Sequence, residues 1–123
     1  MQNIHVRFGI RLRSAEVISA IGDRANRVLG CPFTPSQDPD YPDEIILQAE
    51  VFCLRLTISR ARVTDNLQPW IYQLHGENIV EPRWDYSEKL NLTAWLLQEF
   101  RRRDSPDWYV PTLDELKQEA GIA

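Results

Sequence analysis

The chain has 123 residues, of which 43% are apolar and 26% charged, and these proportions predict a single globular domain over residues 1–123. They argue against a wholly disordered chain, and two cysteines are too few for a disulfide-built scaffold. The net charge of −4 disfavours nucleic-acid binding, which requires neutralisation of phosphate charges. The sequence has no apolar run of transmembrane length and no signal-peptide core near its start, so we expect a cytoplasmic protein with no membrane partner.

The N-terminal part predicts a strand followed by a helix. Apolar and polar residues alternate over residues 4–12, which is the period of a strand with one buried face. Apolar residues then recur at helical spacing from Val17 to Leu29, with Ser14 as the expected N-cap. Gly30, followed by a proline two residues later, predicts the end of this helix.

The next part of the chain leaves its secondary structure open. Residues 31–44 contain four prolines and predict a loop. Residues 45–63 are apolar and alternate in two opposite phases, which indicates either a bulge or a strand covered on both faces. The same residues also fit a helix, although their β-branched side chains favour strand. One strand, two strands and a helix all remain open for this segment.

The second half predicts a strand, a turn and two further helices. Residues 70–75 alternate as a strand does, and residues 76–78 resemble a turn. A second long helix is expected over about 87–103, and a short one from Thr112, whose spacing from Glu115 is typical of a capping box. We therefore predict an α+β fold, with an antiparallel sheet of about three to five strands, two main helices packed on one face and a short C-terminal helix.

The sequence predicts no catalytic residue, no cofactor and no metal. It has two histidines far apart, no glycine-rich phosphate loop and none of the short zinc-binding spacings. The acidic segment from Asp38 resembles a calcium loop, but Asp43 and Ala49 occupy the positions where an EF-hand needs glycine and glutamate.

Acidic and aromatic residues in proline-rich loops are the candidate partner-binding site. Between Cys31 and Leu54 there is no basic residue, and rings on stiff loops are typical of protein interfaces. Such rings also often cover a core from the side, and the sequence gives the two roles equal weight. The candidate residues are Asp38, Asp40, Tyr41, Asp43, Trp84, Tyr86, Trp108 and Tyr109.

These observations favour a non-catalytic protein-binding module that engages a basic protein partner, such as an acidic inhibitor or immunity-type protein. One alternative is a small hydrolase or nuclease-like enzyme that uses His75 and the nearby carboxylates Glu77, Glu81 and Asp85. A second alternative is a homo-oligomeric structural subunit, for example a homodimer with Trp84 or Trp108 at its two-fold axis.

Overall fold

A computed structural model describes residues 3–36, 46–60, 69–79 and 87–119. Over these ranges the chain forms a six-stranded sheet and three helices, which confirms the α+β class. The strands are β1 (Asn3–Ser14), β2 (Thr34–Ser36), β3 (Ile46–Val51), β4 (Leu54–Arg60), β5 (Trp70–Asn78) and β6 (Ser87–Asn91). The helices are α1 (Ile18–Leu29), α2 (Thr93–Arg103) and α3 (Leu113–Glu119).

The sheet is mixed, in the order β2-β3-β4-β5-β1-β6. Four of its neighbouring pairs are antiparallel, but β6 runs parallel to β1. The prediction of an antiparallel sheet of about three to five strands is therefore correct only in part, because the sheet has six strands and one of its pairs is parallel. The sequence assigned β6 to the predicted helix over 87–103. This strand carries one apolar residue, Leu90, so it shows no alternation that would distinguish a strand from a first helical turn.

Residues 46–60 form the β3–β4 hairpin. Of the alternatives for this apolar segment, two strands is therefore correct, and the helix and the bulge are wrong. The change of phase in the sequence comes from the two-residue loop Phe52–Cys53, which joins Val51 to its cross-strand partner Leu54. The predicted turn over 76–78 is also wrong, because β5 continues through it. Gly76 is needed there for space, since a Cβ at this position would collide with the ring of Phe8.

The helices begin later than the sequence indicated. α1 starts at Ile18, and Ser14 ends β1 instead, where its Oγ accepts a hydrogen bond from the Glu16 N–H at 3.0 Å. At α3 the prediction is correct, because the Thr112 Oγ1 accepts a hydrogen bond from the Glu115 N–H at 3.2 Å. The hydrogen bond at this N-cap therefore stabilises α3. Burial of Leu113 contributes little to this helix, because Leu113 is exposed.

Both main helices pack on one face of the sheet, as predicted. Phe8, Ile10 and Leu12 of β1 lie against residues from α1, α2 and the neighbouring strands in one apolar cluster. The largest fully buried members of this cluster are Ile10, Leu12, Ile21, Ile58, Leu74, Phe100 and Trp108. The odd-numbered residues of β1 therefore belong to the opposite face, which is called the polar face below.

A largely buried ion pair joins α1 to the C-terminal end of α2. The Arg24 Nη2 of α1 lies 2.8 Å from the Asp104 Oδ2 at the end of α2, and the Arg24 Nε donates to the same carboxylate. The Trp108 indole Nε1 donates to Asp104 at 2.7 Å, and its ring meets Phe100 edge-on at 4.8 Å between centroids. Burial alone would raise the pKa of the Asp104 carboxyl, but the hydrogen bonds from Arg24 and Trp108 outweigh it and the pKa is lowered.

The substitution Asp104→Ala is expected to lower the free energy of unfolding by about 3 kcal/mol at pH 7, because it leaves a buried guanidinium and an indole N–H unpaired. Since the folded pKa of Asp104 is lowered, its contribution is complete above the unfolded pKa of about 3.9 and is lost as the pH falls through the folded pKa. Urea unfolding at a series of pH values should show the two proteins converging below about pH 4.

Glu50→Gln is the matched control, because Glu50 pairs with Arg55 at 3.6 Å on the surface. Loss of that exposed pair should change the free energy of unfolding by less than about 0.5 kcal/mol. Equal effects of the two substitutions would show that the Arg24–Asp104 pair does not hold the helices together.

Candidate functional site

The polar face carries a row of polar side chains on three adjacent strands. In the register of the sheet, Arg11 of β1 lies opposite Gln73 of β5, and Gln73 lies opposite Ser59 of β4. The Arg11 Nη2 donates to the Gln73 Oε1 at 3.4 Å, and the Gln73 Nε2 donates to the Ser59 Oγ at 3.3 Å. Arg11 is only 7% exposed and Ser59 is fully buried, so these polar groups are held in place away from bulk water.

The C-terminal segment borders this row. The backbones of Arg11 and Tyr109 exchange two hydrogen bonds of 2.8 Å, so Tyr109 extends the sheet along the outer edge of β1. Arg13 lies 5.0 Å from the centre of the Tyr109 ring and 3.9 Å from the Glu115 carboxylate. These contacts bring Pro111 beside the polar face.

A cavity of about 140 Å³ opens between β1, β5 and the C-terminal segment. Its lining is mixed, because β1 and β5 each contribute polar and apolar residues and Pro111 borders it from the C-terminal segment. At Gly9 no atom of the described residues lies within 4 Å of where a Cβ would stand, so among these residues the missing side chain contributes to the open space. The residues that line the cavity are Gly9, Ile10, Arg11, Gln73, Leu74, His75 and Pro111.

His75 lies in this cavity, opposite Gly9 on β1 and Thr57 on β4. Burial lowers the pKa of the imidazole below its ordinary value, against the opposing effect of the negative charge of Glu77. The imidazole is therefore neutral at physiological pH, as a general base must be. The described residues that line the cavity include no carboxylate, however, and Glu81 and Asp85 lie outside the described ranges.

The tip of the β3–β4 hairpin presents an exposed aromatic ring at another place on the molecule. Phe52 is 93% exposed, so burial of its ring contributes nothing to the stability of the fold. The carbonyl of Cys53 accepts a hydrogen bond of 3.0 Å from the N–H of Ile79, which is itself partly exposed. Phe52, Cys53 and Ile79 together are called the tip cluster below.

The backbone of the tip is strained. Phe52 has a φ of 49° and Cys53 a φ of 64°, and positive φ at both central residues is typical of a type I′ hairpin turn. Such turns favour Asn-Gly, because residues with a Cβ are disfavoured in this conformation, and each unfavourable residue costs about 1–3 kcal/mol. Two non-glycine residues with positive φ and an exposed ring are features that stability alone does not explain.

The structure describes two of the eight residues predicted to bind a partner. Trp108 is 0% exposed and belongs to the core, so for this ring core cover is the correct alternative. Tyr109 is partly buried beside Arg13 and contributes its backbone to the sheet. The remaining six, which are Asp38, Asp40, Tyr41, Asp43, Trp84 and Tyr86, lie outside the described residues.

Sequence analysis missed both sites that the structure brings out. The change of phase between residues 53 and 54 was a usable signal for the tip, since two alternating segments joined by two residues make a hairpin. The cavity had no such signal, because Gly9, Gln73 and Pro111 come from three separate parts of the chain.

In comparisons with known proteins, no protein family, no curated protein and no solved structure matches this chain. Within the described ranges, no cluster of three or more histidine, cysteine or acidic side chains is placed to hold a metal ion. No helix in the part of the chain that the structure describes is long and apolar enough to cross a membrane. Both cysteines are free thiols; Cys31 is buried, which raises its thiol pKa, and Cys53 is exposed.

The imidazole of His75 should titrate with a midpoint below about 6.5 when followed by NMR through its ring protons, because burial disfavours the charged form. Among the described residues, the charged neighbours of His75 in the register of the sheet are Glu77 on its own strand, Arg7 and Arg11 on β1 and Arg55 on β4. Since the folded pKa is lowered, neutral His75 contributes full stability above about pH 6.5, and this contribution is lost as the pH falls through the folded pKa. A midpoint at or above the ordinary value would mean that the cavity is well hydrated.

Proposed function

We propose that the chain is a non-catalytic protein-binding module that engages a basic protein partner through the tip cluster, in the manner of an acidic inhibitor or immunity-type protein. The observation that carries this proposal is Phe52, a ring 93% exposed on a turn with two positive-φ residues. Strain of this kind is found where function requires it.

The tip has the properties of an interface anchor. Burying the Phe52 side chain in a partner would contribute roughly 2–3 kcal/mol, and a ring held on a two-residue turn loses little entropy on binding. Aromatic anchors of this kind account for most of the affinity in many interfaces. Ile79, whose N–H donates to the Cys53 carbonyl, adds exposed apolar surface near the turn.

The charge of the sequence segment that contains Phe52 supports a basic partner. Phe52 lies within the stretch between Cys31 and Leu54, which has no basic residue, in a chain of net charge −4. Negative charge carried by the same stretch of chain as an apolar anchor would steer a basic partner towards it and repel acidic ones. The acids of this stretch are Asp38, Asp40, Asp43, Glu44 and Glu50.

Protein binding is better supported than the hydrolase alternative. Among the described residues, no carboxylate lines the cavity that holds His75, and Glu77 acts on the imidazole as a nearby negative charge from outside that lining. The homo-oligomer alternative placed Trp84 or Trp108 at a two-fold axis, and Trp108 is enclosed within its own chain.

The double substitution Phe52→Asn and Cys53→Gly tests the proposal. It replaces the tip with the residues that a type I′ turn prefers, so the free energy of unfolding should rise by about 1–2 kcal/mol. Affinity capture from native lysate of the source organism should retain a basic protein on the wild-type chain and at least about 10-fold less on the variant, because the anchor is absent. Capture on the wild type should weaken as salt is raised.

Leu113→Ser is the matched control, because Leu113 is also an exposed apolar residue but lies on α3, whose Glu115 contacts the far end of β1. This variant should capture the same protein as the wild type. Charge reversal at Asp38, Asp40 and Asp43 should weaken capture without abolishing it. Full capture by the tip variant, or a captured partner with an acidic net charge, would refute the proposal.

A further inference from the structure

A second cavity, of about 150 Å³, lies between the two main helices and plays no part in the proposed protein binding. It is called the interhelical cavity below. The described residues that line it are Val28 and Leu29 of α1 and Trp95, Leu96, Glu99 and Arg103 of α2. We propose that the interhelical cavity binds an aromatic monocarboxylate, with the ring of the ligand against Trp95 and its carboxylate on the Arg103 guanidinium.

The apolar part of the interhelical cavity is suited to a ring. Leu96 belongs to the core cluster and Val28 and Leu29 pack against that cluster, so these three side chains form a fixed apolar surface. Trp95 is 59% exposed, so more than half of its surface is left in water beside this apolar surface. An aromatic ligand placed there would gain an offset or edge-on contact with the indole in addition to the burial of its own apolar area.

The charged part of the interhelical cavity has a surplus of positive charge. The Glu99 Oε2 lies 2.7 Å from the Arg102 Nη2 and 3.0 Å from the Arg103 Nε, so one carboxylate pairs with two guanidinium groups. The hydrogen bond from Arg102 and the charges of both arginines lower the pKa of Glu99, which is therefore ionised at pH 7. One negative charge against two positive charges leaves the cluster with a net charge of +1, which favours an anionic ligand.

Arg103 has hydrogen-bond donors left for such a ligand. Among the described residues, its guanidinium pairs with Glu99 alone, and it does so through Nε. The two terminal amino groups of the guanidinium remain, and together they match the two oxygens of a carboxylate. The Arg103 side chain is 53% exposed, so a carboxylate bound to it keeps part of its own hydration and is not desolvated at full cost.

The size and spacing of these groups select the class of ligand. The volume of about 150 Å³ equals that of an engineered cavity that binds benzene, so a single ring fits. Trp95, Glu99 and Arg103 are spaced by four residues and so lie in a row on one face of α2, with the apolar ring at one end and the free donors at the other. A ligand with one ring and one carboxylate matches both ends, whereas an inorganic anion would leave the apolar end unused.

Benzoate, benzamide, acetate and benzylammonium chloride are the probes for an NMR titration of the whole chain at constant ionic strength. Benzoate should produce saturable shifts at the Trp95 indole N–H and the Glu99 amide with a Kd of about 5 mM or tighter. Benzamide lacks the charge and acetate lacks the ring, so each should bind at least about 10-fold more weakly. Benzylammonium should not bind, because it would meet two guanidinium groups for one carboxylate.

Trp95→Ala and Arg103→Gln are the test variants, and both should fold because each replaces an exposed residue with one that favours helix. Trp95→Ala should weaken benzoate binding at least about 5-fold, because the ring loses its aromatic contact. Arg103→Gln should bind benzoate and benzamide with equal affinity, because it removes the group that distinguishes them. Arg13→Gln is the matched control, since Arg13 is equally exposed, at 56%, but does not line the cavity, and it should bind benzoate as the wild type does.

The double substitution at Phe52 and Cys53 should bind benzoate as the wild type does, and Trp95→Ala should still capture the basic partner, so failure of this site and failure of the proposed protein binding are distinguishable. The aromatic carboxylate site would be refuted by equal affinity of the wild type for benzoate and benzamide, by unchanged benzoate binding to Trp95→Ala or by shifts that do not saturate. Acetate that bound as tightly as benzoate would also refute it, because the site would then recognise carboxylates without regard to the ring.

Discussion

The strict alternation along β1 is the constraint on which the rest of this structure depends. Phe8, Ile10 and Leu12 point to the face that α1 and α2 cover, so Gly9 and Arg11 are forced to the other face. A register shift of one residue would remove the apolar side chains from the core and turn the arginines towards the helices, which makes the register of the sheet strongly specified. The cavity on the polar face exists because this division places a glycine between two arginines there.

β1 also organises the chain beyond its own pairing with β5. Its outer edge is covered in turn by β6, by the Thr93 Oγ1 that accepts from the Gly9 N–H at 3.1 Å, and by Tyr109. An uncovered strand edge can pair with the strands of other chains, so these three successive partners protect the edge of the sheet from such pairing. The same contacts hold the C-terminal segment where Pro111 closes the cavity, and the Arg24–Asp104–Trp108 network fixes the start of that segment to both helices.

The tip cluster and the polar face each destabilise the fold, and the two costs in free energy have different origins. At the tip, the cost is backbone strain at Phe52 and Cys53 together with an apolar ring left in water. On the polar face, the cost is the burial of a guanidinium and of hydroxyl and amide groups, which is offset by the hydrogen bonds between Arg11, Gln73 and Ser59. Both costs are small beside the shared apolar core, and that core allows a chain of this length to carry them.

The sequence by itself determined the elements whose evidence is local. The period of β1, the stripe of α1 and the cap at Thr112 follow from neighbouring residues, and the helices lie on one face because each element has one apolar side. Only the tertiary structure decided that residues 87–91 pair with β1, that Gly76 makes room for Phe8 and that Trp108 is buried. These depend on contacts between residues far apart in the chain, and for this reason the cavity, assembled from β1, β5 and Pro111, has no local pattern that predicts it.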